Sequence, residues 1–560
     1  MVESAPPLYH LSNSFTLPPA DGRYVLKFKV LVTDGIDAEG IAILSGDPQL
    51  AVDEFPTLPA AELMERIGDY DALVGRSATR ITPELLRAAK KIRVIGRAGV
   101  GVDNIAMDVA TELGISIINA PAGNTVAVAE LVFGSLLNIL RNLSFADRTM
   151  RAGEWRRSEL LGGELKGRTL GIVGLGRIGT EVARRASAFE MEVIAFDPYV
   201  PDGRFQGLRV QRAESLVALL AHSDVVTVHT PLTDETRGML GRRELAKFKP
   251  GAVLLNIARG GIVEEDALAE ALASGKLAGA ALDVFTAEPL PAANPLRDVP
   301  NLFLTPHIGA STVEAQRNVA RDVCAAVRDT LLGGELSRSI NIATVEGVRW
   351  EQLKPALRLS ERAAAVGRAI LATQGNRAVQ RVSLRVGATH LGANEALLSA
   401  AAVGVLGGVV AGDRLNVINA RTLAAQRGIE LSAVESAAGT DDDLIEIRIS
   451  AGMQEIAVAG TASATGPVRL TRIGAFHVDV QPRGTLLILT NEDVPGVIGR
   501  VGTVLGEAQI NIAEYHQARL AQGGDALAAV SVDGAVGERV RAELLGIPGV
   551  RTATVVTFDR

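Results

Sequence analysis

Three charged residues, Arg259, Glu288 and His307, each follow a short apolar run that reads as a buried strand. Arg259 follows Asn256-Ile257-Ala258, Glu288 follows Ala281-Leu282-Asp283-Val284-Phe285, and His307 follows Phe303-Leu304-Thr305-Pro306. Open α/β sheets collect their ligands beyond the C-terminal ends of the strands, so side chains at such positions can converge. The chemistry that would use all three is oxidation of an alcohol beside a carboxylate. It needs a base for the hydroxyl proton, and imidazole serves near neutral pH. A carboxylate beside an imidazole favours its protonated form and fixes its orientation, a part for Glu288. A guanidinium fork grips a carboxylate at two points and polarises a carbonyl in the reverse direction, a part for Arg259. Taken singly, each residue has a plainer explanation in a turn or a Glu-Pro loop.

Such a reaction also needs a hydride acceptor. The strand Leu170–Val173 runs directly into Gly174-Leu175-Gly176-Arg177-Ile178-Gly179, which opens an apolar-periodic helix. Gly174 suits the tight turn, Gly176 lets backbone approach a pyrophosphate, and Gly179 allows close helix–strand packing. The helix N-terminus offers free N–H groups to the phosphates. Asp197 ends the next strand, Val193–Phe196, 18 residues past Gly179. An acid there accepts from ribose hydroxyls and repels a 2′-phosphate, which predicts NAD rather than NADP.

The elements that must position these residues alternate strand and helix, the pattern of parallel α/β sheets. A first unit at 26–122 has strand signals at Tyr24–Thr33, Ala72–Val74, Arg93–Ile95 and Ile115–Ile118. Asn124–Ala152 carries unbroken helical periodicity into a second unit at 123–310. That unit's strands are expected at Thr169–Val173, Glu192–Phe196, Val225–Val228, Ala252–Ile257 and Leu302–Thr305. Leu336–Ile342 reads as a linker into a third unit (336–480), Ala/Gly/Val-rich with a helical run near Leu415–Arg427. After Pro482-Arg483-Gly484, the last unit (481–560) reads strand, helix, strand, strand, helix, strand, a ferredoxin-like order. Residues 1–25, proline-containing and without a signal pattern, read as a disordered leader.

A chain of 560 residues exceeds one hydrophobic core, so several domains are expected. With 57 basic against 64 acidic residues it is mildly acidic, which argues against a general nucleic-acid surface. Cys324 is the only cysteine, excluding an intrachain disulfide and Cys-based zinc or iron–sulfur sites. No metal site is expected. Apolar runs such as Ala400–Val410 are too short or Gly-rich for a membrane span, so a cytoplasmic protein is expected.

Over about 26–335 the sequence resembles the D-2-hydroxyacid dehydrogenase family. The motifs are Gly174–Gly179, His229-Thr230-Pro231-Leu232, Asn256 to Val263, Ala281 to Phe285 with Glu288-Pro289, and Pro306 to Thr312, in matching order. The resemblance implies a two-lobed Rossmann-type dehydrogenase with Arg259, Glu288 and His307 as the catalytic set. It also implies NAD contacts from Arg177, Ile178, Thr230, Pro231, Ala258 and Gly309, with Asp283 meeting the nicotinamide amide. Ser311 to Leu332 would return to the first lobe, so that 26–122 with 311–335 binds substrate and 123–310 binds NAD.

Arg76-Ser77-Ala78-Thr79, Arg97 to Asn104, and Asn119 to Asn124 resemble cleft-facing loops of that family's phosphoglycerate dehydrogenase branch. Trp155-Arg156-Arg157 falls where the branch has a segment reaching into the partner subunit's site. The resemblance implies Arg76, Arg97, Gly99, Gly101, Asn124 and Arg157 as substrate contacts, with 3-phospho-D-glycerate as substrate in L-serine synthesis. Several arginines in one cleft suit a ligand with both carboxylate and phosphate. Residues 336–480, including Asn416 to Leu423, resemble the branch's intervening domain, and 481–560 resembles an ACT domain. An ACT domain implies pairing of subunits, in a homodimer or homotetramer, with L-serine as effector at Asn491, Asp493 and Asn511. Other 2-hydroxyacids (2-hydroxyglutarate, glycerate) and a non-catalytic, NAD-binding corepressor stay open.

Overall fold

The computed structural model describes residues 28–343, 350–376, 378–407, 414–434, 441–463 and 467–558. The leader expected at 1–25 lies outside the described residues.

Near-continuous Val/Ile/Leu runs are the mark of strands covered on both faces, and they form the two parallel sheets here. The first has strands in the order Leu50–Glu54, Phe28–Val32, Ala72–Gly75, Val94–Arg97, Ser116–Asn119. Short helices carrying Leu63, Leu86 and Ala110 cover one face. On the other, Val319, Val323 and Val327 of the helix Val313–Gly333 pack against Val30, Val74 and Val94. The late helix therefore lies on the first sheet. Gly96 permits that approach, because a Cβ there would sit 2.5 Å from Val323 Cγ1.

The second sheet has seven parallel strands. Its order is Leu302–Leu304, Leu277–Leu282, Ala252–Asn256, Val225–Val228, Thr169–Val173, Glu192–Phe196, Gln211–Arg212. Thr169–Val173 is flanked by the next strand in sequence on one side and by a later one on the other. That is the switch point at which such sheets open a crevice. The helical stretch from Asn124 is not continuous. Thr125–Arg141 ends at Asn142, whose φ of 51° is left-handed, and Leu143–Arg151 departs at 63°. Asparagine tolerates that conformation, and its backbone N–H caps the carbonyls of Asn138 and Ile139.

The third unit holds more regular structure than its composition suggests. Helices Trp350–Thr373 and Asn394–Leu406 share a core with a six-stranded mixed sheet. The expected helical run is shorter, Ala420–Gln426. Leu336–Ile342 adds to the edge of the first sheet, with Ile340 N–H donating to Ile117 O and Asn341 Oδ1 accepting from Ile117 N–H. A second fastening follows from Asn416 and Asn419, whose amides donate to Gly114 O at 2.8 Å and Glu112 O at 3.3 Å.

The last unit runs Thr485–Glu492, Val497–Glu507, Asn511–Arg519, Asp525–Asp533, Glu538–Leu545, Val550–Thr557, a βαββαβ order with an antiparallel sheet. Its helices cover one face through Val501, Leu505 and Leu544. The other face (Leu486, Ile488, Leu527, Ala529, Val556) joins the core around the helix Trp350–Thr373. The turn at Pro482–Gly484 thus does not separate two cores. Among the described residues no single helix is long and apolar enough to cross a membrane.

Candidate active site

In the first two units, the loops singled out in the sequence, Trp155–Arg157 apart, leave the C-terminal ends of parallel strands. In the first lobe, Asp34 organises the loop after Ala72–Gly75. Its carboxylate accepts from Arg76 N–H at 2.7 Å, Thr79 N–H at 3.1 Å and Thr79 Oγ1–H at 2.8 Å. Asn104 donates to Arg76 O and Thr79 O, and Asn119 to Val100 O, so the 76–79 and 97–104 loops are locked together.

Arg97 folds over Gly99, where a Cβ would collide with its guanidinium, and its Nε is buried without a partner. Burial above all, then the charges of Arg259 and Arg76, push its pKa down to about 10, while Asp103 and Asp34 oppose that. Burial likewise lowers Arg76, against Asp34. Three guanidinium groups thus crowd one place short of anions, the electrostatics of an anion site.

The second lobe holds a carboxylate–imidazole pair. Glu288 Oε1 accepts from Phe285 N–H at 2.9 Å, and Oε2 lies 2.7 Å from His307 Nδ1. Burial raises the Glu288 pKa, but the His307 hydrogen bond, the Phe285 N–H and the Arg259 charge outweigh it, and the net shift is downward. Glu288 is therefore held as carboxylate. His307 is about half exposed, leaving Nε2 for a ligand.

Asp283 fixes the strand end below this pair. Its carboxylate, 1% exposed, accepts from Thr305 Oγ1–H, Ile308 N–H and Gly309 N–H at 2.6–2.8 Å. A carboxylate offers about four acceptor positions, so one remains. His229, the other histidine in a motif, is of a different kind. Burial drives its pKa down to about 3, so it stays neutral, with Nε2 against Thr227 Oγ1.

Arg259 spans the lobes. Its NH1 donates to Ala258 O at 2.7 Å and its Nε to Asp103 Oδ2 at 3.1 Å. Its NH2 borders Gly101, where a Cβ would collide with it. Arg157 instead begins an exposed turn, Arg157–Glu159, beside the exposed Trp155, and among the described residues it has no ion-pair partner. The structure does not bring it to its own chain's cleft.

The family model for the NAD binding domain of D-isomer specific 2-hydroxyacid dehydrogenases matches residues 133–309. The D-3-phosphoglycerate dehydrogenase intervening domain matches 352–474. A D-3-phosphoglycerate dehydrogenase of Synechocystis sp. is 36% identical over 98% of this chain and 99% of its own length. That of Archaeoglobus fulgidus is 37% identical over 94% and 99%. The chain belongs to the D-3-phosphoglycerate dehydrogenases. Among solved structures, the TT0316 protein from Thermus thermophilus aligns with a TM-score of 0.52 at 38% identity, covering 56% of this chain and 99% of its own.

As a D-3-phosphoglycerate dehydrogenase, the chain is an NAD-dependent oxidoreductase, and its own atoms fit NAD. Gly174 takes φ 94°, and a Cβ there would lie 2.7 Å from His229 O. A Cβ on Gly176 would meet nothing within 4 Å, which is room for a pyrophosphate, and one on Gly179 would collide with Gly174 O. Asp197 accepts from Leu175 N–H at 2.9 Å and Tyr199 N–H at 3.0 Å, tying the glycine turn to the next strand and leaving lone pairs for a ribose. Thr230 Oγ1, His229 Nδ1, Thr125 Oγ1 and Asn124 Oδ1 are buried without partners, as a cradle for a polar ligand requires. Sequence reasoning gave no role to Asp34, Asp103, Asn104, Asn119 or Thr125. Asp34 had a signal, since it ends a strand at an Asp-Gly pair.

Proposed function

We propose that the chain oxidises 3-phospho-D-glycerate to 3-phosphohydroxypyruvate with NAD, the first step of L-serine biosynthesis, in the cytoplasm. The observation that carries this is the His307–Glu288 pair at 2.7 Å facing a cleft that also holds Arg76, Arg97 and Arg259. His307 Nε2 takes the hydroxyl proton, and Glu288 on Nδ1 balances the imidazolium that forms. Arg259 holds the substrate carboxylate with backbone at Gly99 and Gly101, and Arg76 and Arg97 meet the phosphate end. NAD, bound along Gly174–Gly179 with Arg177 and Ile178 opening the helix, supplies the hydride acceptor. Thr230, Pro231, Ala258 and Gly309 line its path, and the remaining acceptor position of Asp283 takes the nicotinamide amide. Residues 26–122 with 311–335 form the substrate lobe and 123–310 the NAD lobe. NADH formation from 3-phosphoglycerate, compared with D-glycerate and 2-hydroxyglutarate, tests the reading. Preference for an unphosphorylated acid would refute it.

Cofactor choice rests on Asp197. Asp197→Ala removes a ribose acceptor and a negative charge, so the ratio of kcat/KM for NAD over NADP should fall by about tenfold or more. A wild-type chain that uses both equally would remove Asp197 from this role.

The last unit, 481–560, is proposed to be an ACT domain beside the intervening domain at 336–480, with L-serine as effector. Within one chain the three effector residues do not converge. Asn491 pairs with Ala526 and Asn511 with Asp533, seven residues apart along one strand, or about 23 Å. Asn511 must then come from a second copy, which makes the site a product of pairing in a homodimer or homotetramer that also brings Arg157 to a partner's cleft. Asp493 is held by Arg519 at 3.1 Å and Gly523 N–H at 3.2 Å, Asn491 donates to Glu492 O, and Asn511 donates to Asp533. Serine should inhibit the intact oligomer, and Asn511→Ala should weaken that inhibition without changing uninhibited turnover. Calorimetric titration showing no serine binding would dismiss the effector.

A further inference from the structure

We propose that Asp103 is a positioning residue for Arg259, a resident anion that clasps the two lobes and leaves one edge of the guanidinium for substrate. The inference rests on the reading above, in which Arg259 grips the substrate carboxylate. Asp103 belongs to the loop after Val94–Arg97 in the first lobe, and Arg259 to the loop after Ala252–Asn256 in the second. Their contact, Nε to Oδ2 at 3.1 Å, joins residues 156 positions apart.

The donor inventory of Arg259 shows what the clasp does. A guanidinium has five N–H groups in a fixed plane. Nε–H goes to Asp103 and one NH1 proton to Ala258 O. The protons left lie on NH1 and NH2, and NH2 borders Gly101. An incoming carboxylate is thereby directed to the NH1/NH2 edge beside the Gly99–Gly101 backbone, and the Nε edge is closed to it.

Charge gives Asp103 a second effect. Arg76, Arg97 and Arg259 repel one another, and Asp103 is one of two carboxylates that counter this at Arg97, the other being Asp34. Asp34 is committed to backbone and hydroxyl donors of its own loop. Asp103, 67% exposed against 27% for Arg259, approaches from the solvent side. It can hold the arginine in place before substrate arrives. An ion pair this exposed adds little to folding stability, so its removal leaves a folded protein.

Two substitutions separate position from charge in the full-length chain. Asp103→Ala removes both, and Asp103→Asn keeps an oxygen that accepts from Nε–H. With 3-phosphoglycerate and NAD, Asp103→Ala should lower kcat by about 10- to 100-fold, the scale of a misplaced reactant. Asp103→Asn should recover most of that kcat and show a lower KM than the unmodified chain, since a negative charge near an anionic substrate is gone. NADH affinity, read by fluorescence titration, should be unchanged in both. Unmodified kcat in Asp103→Ala, or equal kcat losses in both variants, would overturn the inference. Arg259→Ala is the control. Activity surviving it would refute the reading of the site itself, while an inactive Arg259→Ala beside a fully active Asp103→Ala would sink only the role of Asp103.

Discussion

His307→Ala should lower kcat by about 10²- to 10⁴-fold, the range for loss of a positioned general base, with NADH affinity nearly unchanged. The reason lies in the ring's two nitrogens. Nδ1 is committed to Glu288 at 2.7 Å, so Nε2 is the nitrogen available for the hydroxyl proton. No other imidazole among the cleft motifs can substitute, because His229 is buried and held neutral at a pKa of about 3. The carboxylate makes a separate prediction. Glu288 is held below the ordinary carboxylate range, so it stays charged as the medium is acidified and faces the imidazolium that forms when Nε2 takes the proton. Glu288→Gln removes that countercharge, so kcat should fall while NADH affinity stays unchanged. His307→Ala turning over near the unmodified rate at every pH would end the assignment.

Arg76→Ala should reduce kcat/KM for 3-phosphoglycerate by about 10²-fold, since truncating one member of a half-buried charged pair costs roughly 3 kcal/mol. For D-glycerate the loss should be several-fold at most. Arg76 is held for this task by its backbone, with N–H on Asp34 and C=O on Asn104. Its side chain is therefore free of structural duty, and the substitution should not loosen the loop. Arg76→Lys should recover only part of the loss, because an ammonium cannot match a phosphate bidentately. Equal losses on both substrates would place Arg76 away from the phosphate.

The two parallel lobes were legible in the sequence because their strands are buried on both faces and read as plain apolar runs. The glycine turn, Asp197 and the Arg259, Glu288 and His307 positions were legible because each follows such a run. The edge strand Leu50–Glu54 was not, since half of it is exposed and polar. In the third unit, Leu444–Ala451 alternates well, yet Glu446 on its polar face is buried among Arg385, Arg448 and Arg472. A carboxylate buried by arginines from its own strand and two others cannot be inferred from local pattern. The helix Trp350–Thr373 was hidden for another reason. It packs against sheets from two units and against Asn394–Leu406, so its buried face is broad, and Pro355 lies within it. Asp103 was missed because its partner is 156 residues away.

That same helix bears on how the chain can be cut and recombined. A regulatory unit joined by a flexible tether is an interchangeable part, and deleting its coding segment leaves a working remainder. Here the seam runs through a core instead. Stopping the chain at residue 481 would leave the apolar flank of Trp350–Thr373 facing water where Leu486, Ile488 and Val556 now lie against it. Such a surface invites aggregation. A chain shortened there should therefore be recovered mostly as insoluble material. Point changes at exposed positions such as Asn511 leave that core intact and are the gentler way to probe the last unit.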